Sequence, residues 1–159
     1  MITARSITRR TDTGRHLAAP KTRQRSVTAN SFQLALEEDE AQTTAHGAET
    51  IGWVAIEGGR GQWSGLDYAA GNTGNVVTHE WYELGFGADL GATPRFLAQI
   101  GTRNGADNAQ LRYDKTTLDG SGVDVMVEED TTYDAETDHA TAESVHFLAF
   151  SGSGALHAR

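Results

Sequence analysis

The feature that most constrains this chain is a pair of alternating runs separated by an acidic loop, and the arrangement occurs twice. In residues 123–150, Val123, Val125 and Val127 alternate with other residues until the run ends in Glu128, Glu129 and Asp130. A polar loop carries Asp134, Glu136, Asp138 and His139, and a second run continues through Glu143, Val145, Phe147 and Ala149. Period-two alternation places one set of side chains on one face, as half-buried strands require. Read alone, the stretch is two paired strands joined by an acidic loop. Residues 32–59 repeat it: Leu36, Glu37, Glu38 and Asp39 match Val127, Glu128, Glu129 and Asp130. His46 matches His139, Glu49 matches Glu143, and Ala55 matches Ala149. Upstream, His16-Leu17-Ala18 with Thr22-Arg23 is matched to Phe96-Leu97-Ala98 with Thr102-Arg103. An internal repeat of this kind fixes the architecture before any single strand does.

The repeat predicts an all-β fold, an antiparallel β-sandwich built from two related copies, the first incomplete. The expected organisation is a basic arm over 1–30, a first copy over 15–59, a glycine-rich connection over 60–75, a second copy over 76–152 and a tail over 153–159. The first copy lacks counterparts of Asn104–Asp114, so a strand from another molecule, donated by Met1–Arg25, is expected to fill its bare edge. Expected core residues are Phe32, Leu34, Leu36, Ile51, Trp53, Val123, Val125, Val127, Val145 and Phe147. Asn104-Gly105 and Asp119-Gly120 read as hairpin turns.

Charge is divided unevenly along the chain. Residues 1–30 hold seven Arg or Lys against Asp12 alone, whereas residues 31–159 hold six basic and 21 acidic residues. Two readings compete: a basic arm beside a solvated acidic domain, or attraction between the arm of one molecule and the acidic loops of the next. The chain has no cysteine, so disulfides and thiolate metal sites are excluded. No apolar run reaches the roughly 18 residues of a membrane span. The opening residues lack the apolar segment of a secretory signal.

No catalytic motif stands out: there is no phosphate loop, no H-E-x-x-H, no G-x-S-x-G and no dinucleotide glycine pattern. A non-enzymatic role is expected. Three readings of the acidic loops remain. Glu128, Asp130, Asp134, Glu136 and Asp138, with Glu37 and Asp39 in the first copy, offer oxygens enough for calcium, the expected cofactor. Alternatively they form a salt-adapted solvated face or pair with Arg95, Arg103 and Arg112, or His46 with Glu49 and His139 with Glu143 act as hydrogen-bonded struts. Trp63, Tyr68, Trp81 and Tyr82 are either end plugs of the sandwich or stacking platforms for sugars.

The segments Pro94–Leu97, Ser121-Gly122-Val123 and Phe147-Leu148-Ala149, with Ser31-Phe32 and Trp53-Val54-Ala55 in the first copy, resemble H-type lectin-like β-sandwich repeats. Similar units, with the pattern EE…D…H…E between strands, occur in large repetitive cell-surface proteins. The resemblance implies an extracellular or cell-surface location; the tandem repeat, the incomplete first copy, the uneven charge and the missing catalytic motif point to an adhesive or structural role, with copies of the same chain as partners and a filament as product. The alternative is a carbohydrate-binding module with glycans as partners. Neither nucleic-acid binding nor membrane insertion is expected.

Overall fold

The computed structural model describes residues 20–41, 47–92 and 94–155, and the backbone of 2–4. Among the described residues there are eleven strands and no helix. The sandwich has two antiparallel sheets. The first is four-stranded, in the order β5 (Gly59–Trp63), β6 (Leu66–Val77), β11 (Glu143–Phe150), β8 (Arg95–Ile100). The second is three-stranded, in the order β7 (Tyr82–Gly85), β10 (Gly122–Glu129), β9 (Ala109–Tyr113). Two separate pairs precede them: β1 (Ile2–Ala4) with β4 (Trp53–Ala55), and β2 (Lys21–Arg25) with β3 (Gln33–Glu37).

The alternation seen in the sequence builds the core. Val123, Val125 and Val127 of β10 and Val145, Phe147 and Ala149 of β11 point inward, joined by Val77, Leu84, Phe86 and Ile100. The even-numbered side chains of β11 point outward but are also covered. Leu148 and Phe150 join Ala70 under Ile56, Trp63, Leu66 and Tyr68. A strand central in its sheet and roofed on both faces is buried throughout.

Four sequence expectations need correction. The runs 123–127 and 143–149 are not partners: β10 and β11 lie in opposite sheets and face each other across the core. Nor do β3 and β4 pair, each having another neighbour. The glycine-rich stretch 60–75 is no connection but the β5–β6 hairpin. Its turn is Ser64-Gly65, both residues at positive φ (52° and 80°), as a tight two-residue hairpin turn demands. Asn104-Gly105 sits instead in the crossover from β8 to β9, between sheets.

The fourth correction concerns the strand missing from the first copy. In register, Leu36 lies opposite Thr22 and Ala35 opposite Arg23, while Val127 lies opposite Leu111 and Met126 opposite Arg112. Matching Leu36 to Val127 therefore makes β2 the counterpart of β9, and Arg23 the counterpart of Arg112. The chain supplies this strand itself. The same diagonal ion pair marks both hairpins: Arg23 Nη1 is 3.4 Å from Glu37 Oε2, and Arg112 Nε donates to Glu128 Oε1 at 3.0 Å. Such cross-strand diagonals lie within reach of long side chains.

The expected core is realised in the second copy alone. Phe32, Leu34, Leu36 and Ile51 are half-buried, and Trp53 is 58% exposed, stacked edge-on against Phe32 at 5.5 Å. Among the described residues no strands of the first copy stand where β5, β6, β7 and β8 stand in the second.

Gly122 opens β10 where the two strands approach most closely. A Cβ there would lie 2.5 Å from the Leu84 carbonyl oxygen and 3.2 Å from Gly85 Cα, both backbone atoms of β7. Gly122→Ala should destabilise the fold by about 1–3 kcal/mol through this overpacking. Urea denaturation measures it, and an unchanged midpoint would show that β7 can shift away.

Candidate functional site

The site with the densest chemistry is a buried polar cluster at one end of the sandwich. Strand parity creates it. In β10 the residue after Val123, Val125 and Val127 on the inward face is Glu129, and in β11 the inward series begins with Glu143. Each sheet thus aims a carboxylate into the same end of the core. His139 stands between them, 1% exposed. Its Nδ1 is 2.9 Å from Glu129 Oε1 and its Nε2 is 3.4 Å from Glu143 Oε1. The first is a hydrogen bond; the second is a charge contact at the limit of bonding distance.

Glu143 is fully buried and heavily coordinated. Its carboxylate accepts from the Thr102 hydroxyl, from the Asn104 amide at 2.9 Å and from the Gly105 amide at 3.1 Å. Gly105 is required here for space, since a Cβ would meet His139 Cε1 at 2.2 Å. Arg23 completes the cluster from the β2–β3 hairpin. It is 5% exposed, 3.4 Å from Glu143, and donates to the carbonyl oxygens of Ala109 at 3.2 Å and Thr102 at 3.3 Å. Arg103 reaches back to Glu37 at 3.3 Å.

The electrostatics follow from this geometry. Burial alone pushes the Glu143 carboxyl up, but the nearby His139 ring and hydrogen bonds from Thr102 and the Gly105 and Asn104 amides hold it down, at about 2. The Glu143 carboxylate raises the His139 pKa, burial opposes that, and Glu129 raises it further. The favoured state is an imidazolium between two carboxylates, a strut joining the two sheets. His139 and Glu143, expected to form a hydrogen-bonded strut, stand 3.4 Å apart as a charge contact, and the hydrogen bond of His139 goes to Glu129. His46 lies outside the described residues, and Glu49 is exposed.

The seven carboxylates expected to bind calcium are dispersed. Glu128 faces Arg112, Glu37 faces Arg23 and Arg103, and Asp130 accepts from the Thr132 amide at 2.8 Å, with Lys21 at 3.9 Å. Asp134 accepts from the Glu136 amide at 2.9 Å, and Glu136 and Asp138 are exposed. Asp39 is half-buried at the end of β3. Among the described residues no three acidic or histidine side chains converge closely enough to share a metal ion. Addition of a chelator tests calcium directly, because a ligand bound only by the folded state shifts the melting temperature; an unchanged value would favour the solvated face. A drop, restored by calcium, would establish a site.

Of the four aromatic residues, Trp63 and Tyr68 come together. With Ile56 and Gln62 they line a shallow cleft of about 300 Å³ on the outer face of the four-stranded sheet. Trp81 is 54% exposed, and Tyr82 packs against the main core, so neither shares that cleft. Sequence reasoning missed Arg23, Thr102 and Glu129 as members of the polar cluster. Glu129 alone carried a signal, its parity with Val127.

No family model matches the chain, so the likeness to H-type lectins is not supported from that side, and no solved structure matches it either. Among curated proteins the chain is similar to halomucin of Haloquadratum walsbyi, at 33% identity over 138 residues. The similarity covers 85% of this chain and 1% of halomucin, so the chain spans a very small part of that protein's length.

Proposed function

We propose that this chain is a non-catalytic structural unit of an extracellular or cell-surface repeat protein, and that it associates with copies of itself. The observation that carries the reading is the contact between its two copies. A hairpin with the register and diagonal ion pair of β9–β10 lies against the sandwich of the following copy through a buried arginine. Units that contact their neighbours in sequence are the basis of tandem-repeat architecture. The likeness to a short segment of halomucin supports the same reading, as does an all-β fold. The acidic loops then serve as a solvated, ion-paired surface. Sedimentation velocity tests the association: the sedimentation coefficient should rise with protein concentration. A constant monomeric value up to millimolar protein would overturn it.

A second reading, a carbohydrate-binding surface, is favoured by the Trp63–Tyr68 cleft, whose rim carries the Gln62 side chain donating to Asp67 at 3.0 Å. Glycan-array binding that is lost in Trp63→Ala would support it; an array without signal would remove it.

A further inference from the structure

We propose that the face of the sandwich between β8 and β9 is an exchangeable socket, and that it takes the β2–β3 hairpin of a second copy of this chain. The inference rests on the self-association reading above and names the surfaces involved. Both sheets end at this face, so it presents edge groups of β8 and β9. The hairpin meets them without joining either sheet: among the described residues β2 pairs with β3 and with no other strand. The contacts are polar, and they include Lys21 with Asp130 and Arg103 with Glu37. Gln99 Nε2 donates to the Thr22 carbonyl at 2.8 Å, Asn108 donates to the Glu38 carbonyl, and Arg23 reaches Glu143, Thr102 and Ala109.

Three observations make this contact exchangeable. Neither hydrophobic cluster contains a residue of the hairpin, so the core between residues 56 and 150 stays closed when the hairpin leaves. Glu143 keeps its bonds from Thr102, Asn104 and Gly105 and its contact with His139, so the vacated socket is not left with a bare buried charge. The seam itself is loosely filled: a cleft of about 300 Å³ runs between Lys21, Thr22 and Arg23 on one side and Gln99, Ala109 and Leu111 on the other, and Arg23 Nε has no hydrogen-bond partner.

A second copy is the fitting occupant on grounds of charge. The hairpin's β2 strand carries Lys21, Arg23 and Arg25, and the socket offers the carboxylates of Asp130 and Glu143, so the hairpin of one molecule is drawn to the socket of another. The two surfaces differ, so the contact is heterologous, and heterologous contacts form rings or open chains. Exchange of one element between identical chains also recreates every contact of the closed form at little cost.

The absence of cysteine permits a direct test in the full chain. Thr22 and Gln99 touch across the seam, their side chains 3.2 Å apart. Thr22→Cys and Gln99→Cys are made separately and together, and treated with a short bismaleimide. The double variant, diluted, should give an internal cross-link, which locates the socket. An equimolar mixture of the two single variants, concentrated, should give a covalent heterodimer at least fivefold above either variant alone. Arg23→Ala in the Thr22→Cys chain should abolish it. An internal cross-link with no heterodimer at any concentration would overturn the proposal, as would failure of both cross-links. Sedimentation of the unaltered chain separates the two claims: assembly without heterodimer cross-linking refutes the socket and leaves self-association standing.

Discussion

Replacing Glu143 with alanine lowers the melting temperature by about 15 °C, from a cost of roughly 3–5 kcal/mol for breaking a buried charge cluster. The loss takes one of two carboxylates from Arg23 and from His139, and it leaves the Thr102 hydroxyl and the Asn104 and Gly105 amides without their acceptor. Glu143→Gln keeps the shape and one acceptor oxygen, so about half of that loss is expected. The pH profile carries the same signature. The Glu143 carboxyl sits at about 2 in the folded chain against an ordinary 4.5, so its contribution is present above pH 4.5 and is lost as pH falls toward 2. The shift corresponds to about 3 kcal/mol. His139 is raised above its ordinary 6.5, so its contribution is complete below pH 6.5 and is lost as pH rises through the folded value. Stability should therefore be greatest between about pH 4.5 and 6.5 and decline on both sides. Thermal melts across pH 2–9 measure this; a profile that keeps rising above pH 7 would show that His139 is buried neutral.

Arg23→Ala and Arg112→Ala form a matched pair, because the two arginines hold equivalent places in equivalent hairpins. Arg112 is half-exposed, and its pair with Glu128 contributes about 0–1 kcal/mol, as surface ion pairs do. Arg23 is buried against Glu37 and Glu143, and its removal should cost roughly 2–4 kcal/mol of local stability, since two buried carboxylates lose a partner. The effect falls on hairpin docking. Amide hydrogen exchange in residues 21–25 and 33–37 should accelerate at least tenfold in Arg23→Ala, while amides of β10 and β11 keep nearly their original protection. Arg112→Ala should leave both regions unchanged. Equal acceleration in both variants would mean that burial does not distinguish the two pairs.

The strands of the second copy were legible because their alternation is strict. The runs 123–127 and 143–149 each fall within an observed strand. Pairing was not legible, since alternation states which face is buried and is silent on which strand lies alongside. The acidic segment 131–142 looks like a hairpin loop but crosses from one sheet to the other. Glycine misled in residues 60–75: Gly61 and Gly71 make room for the rings of Tyr68 and Phe147, at 3.2 and 3.0 Å from a would-be Cβ, so a linker-like composition is a packing surface. Within the polar cluster, His139 and Glu143 announced themselves through the repeat. Arg23 did not, because the groups it serves lie at Thr102, Ala109 and Glu143, far along the chain.

The separation between a closed hydrophobic core and a hairpin held by polar contacts bears on how such a unit responds to pulling. A tensile load that reaches the hairpin before the sheets opens the weaker joint first, where a few side-chain contacts act in place of a ladder of backbone bonds. The segment 20–41 then pays out as slack, roughly 70 Å when fully extended, while β5 to β11 stay folded. Relaxation returns the arginine to the same carboxylate. In a tandem array each unit would add one such recoverable length, making the array compliant at low force and stiff once the sandwiches themselves bear the load.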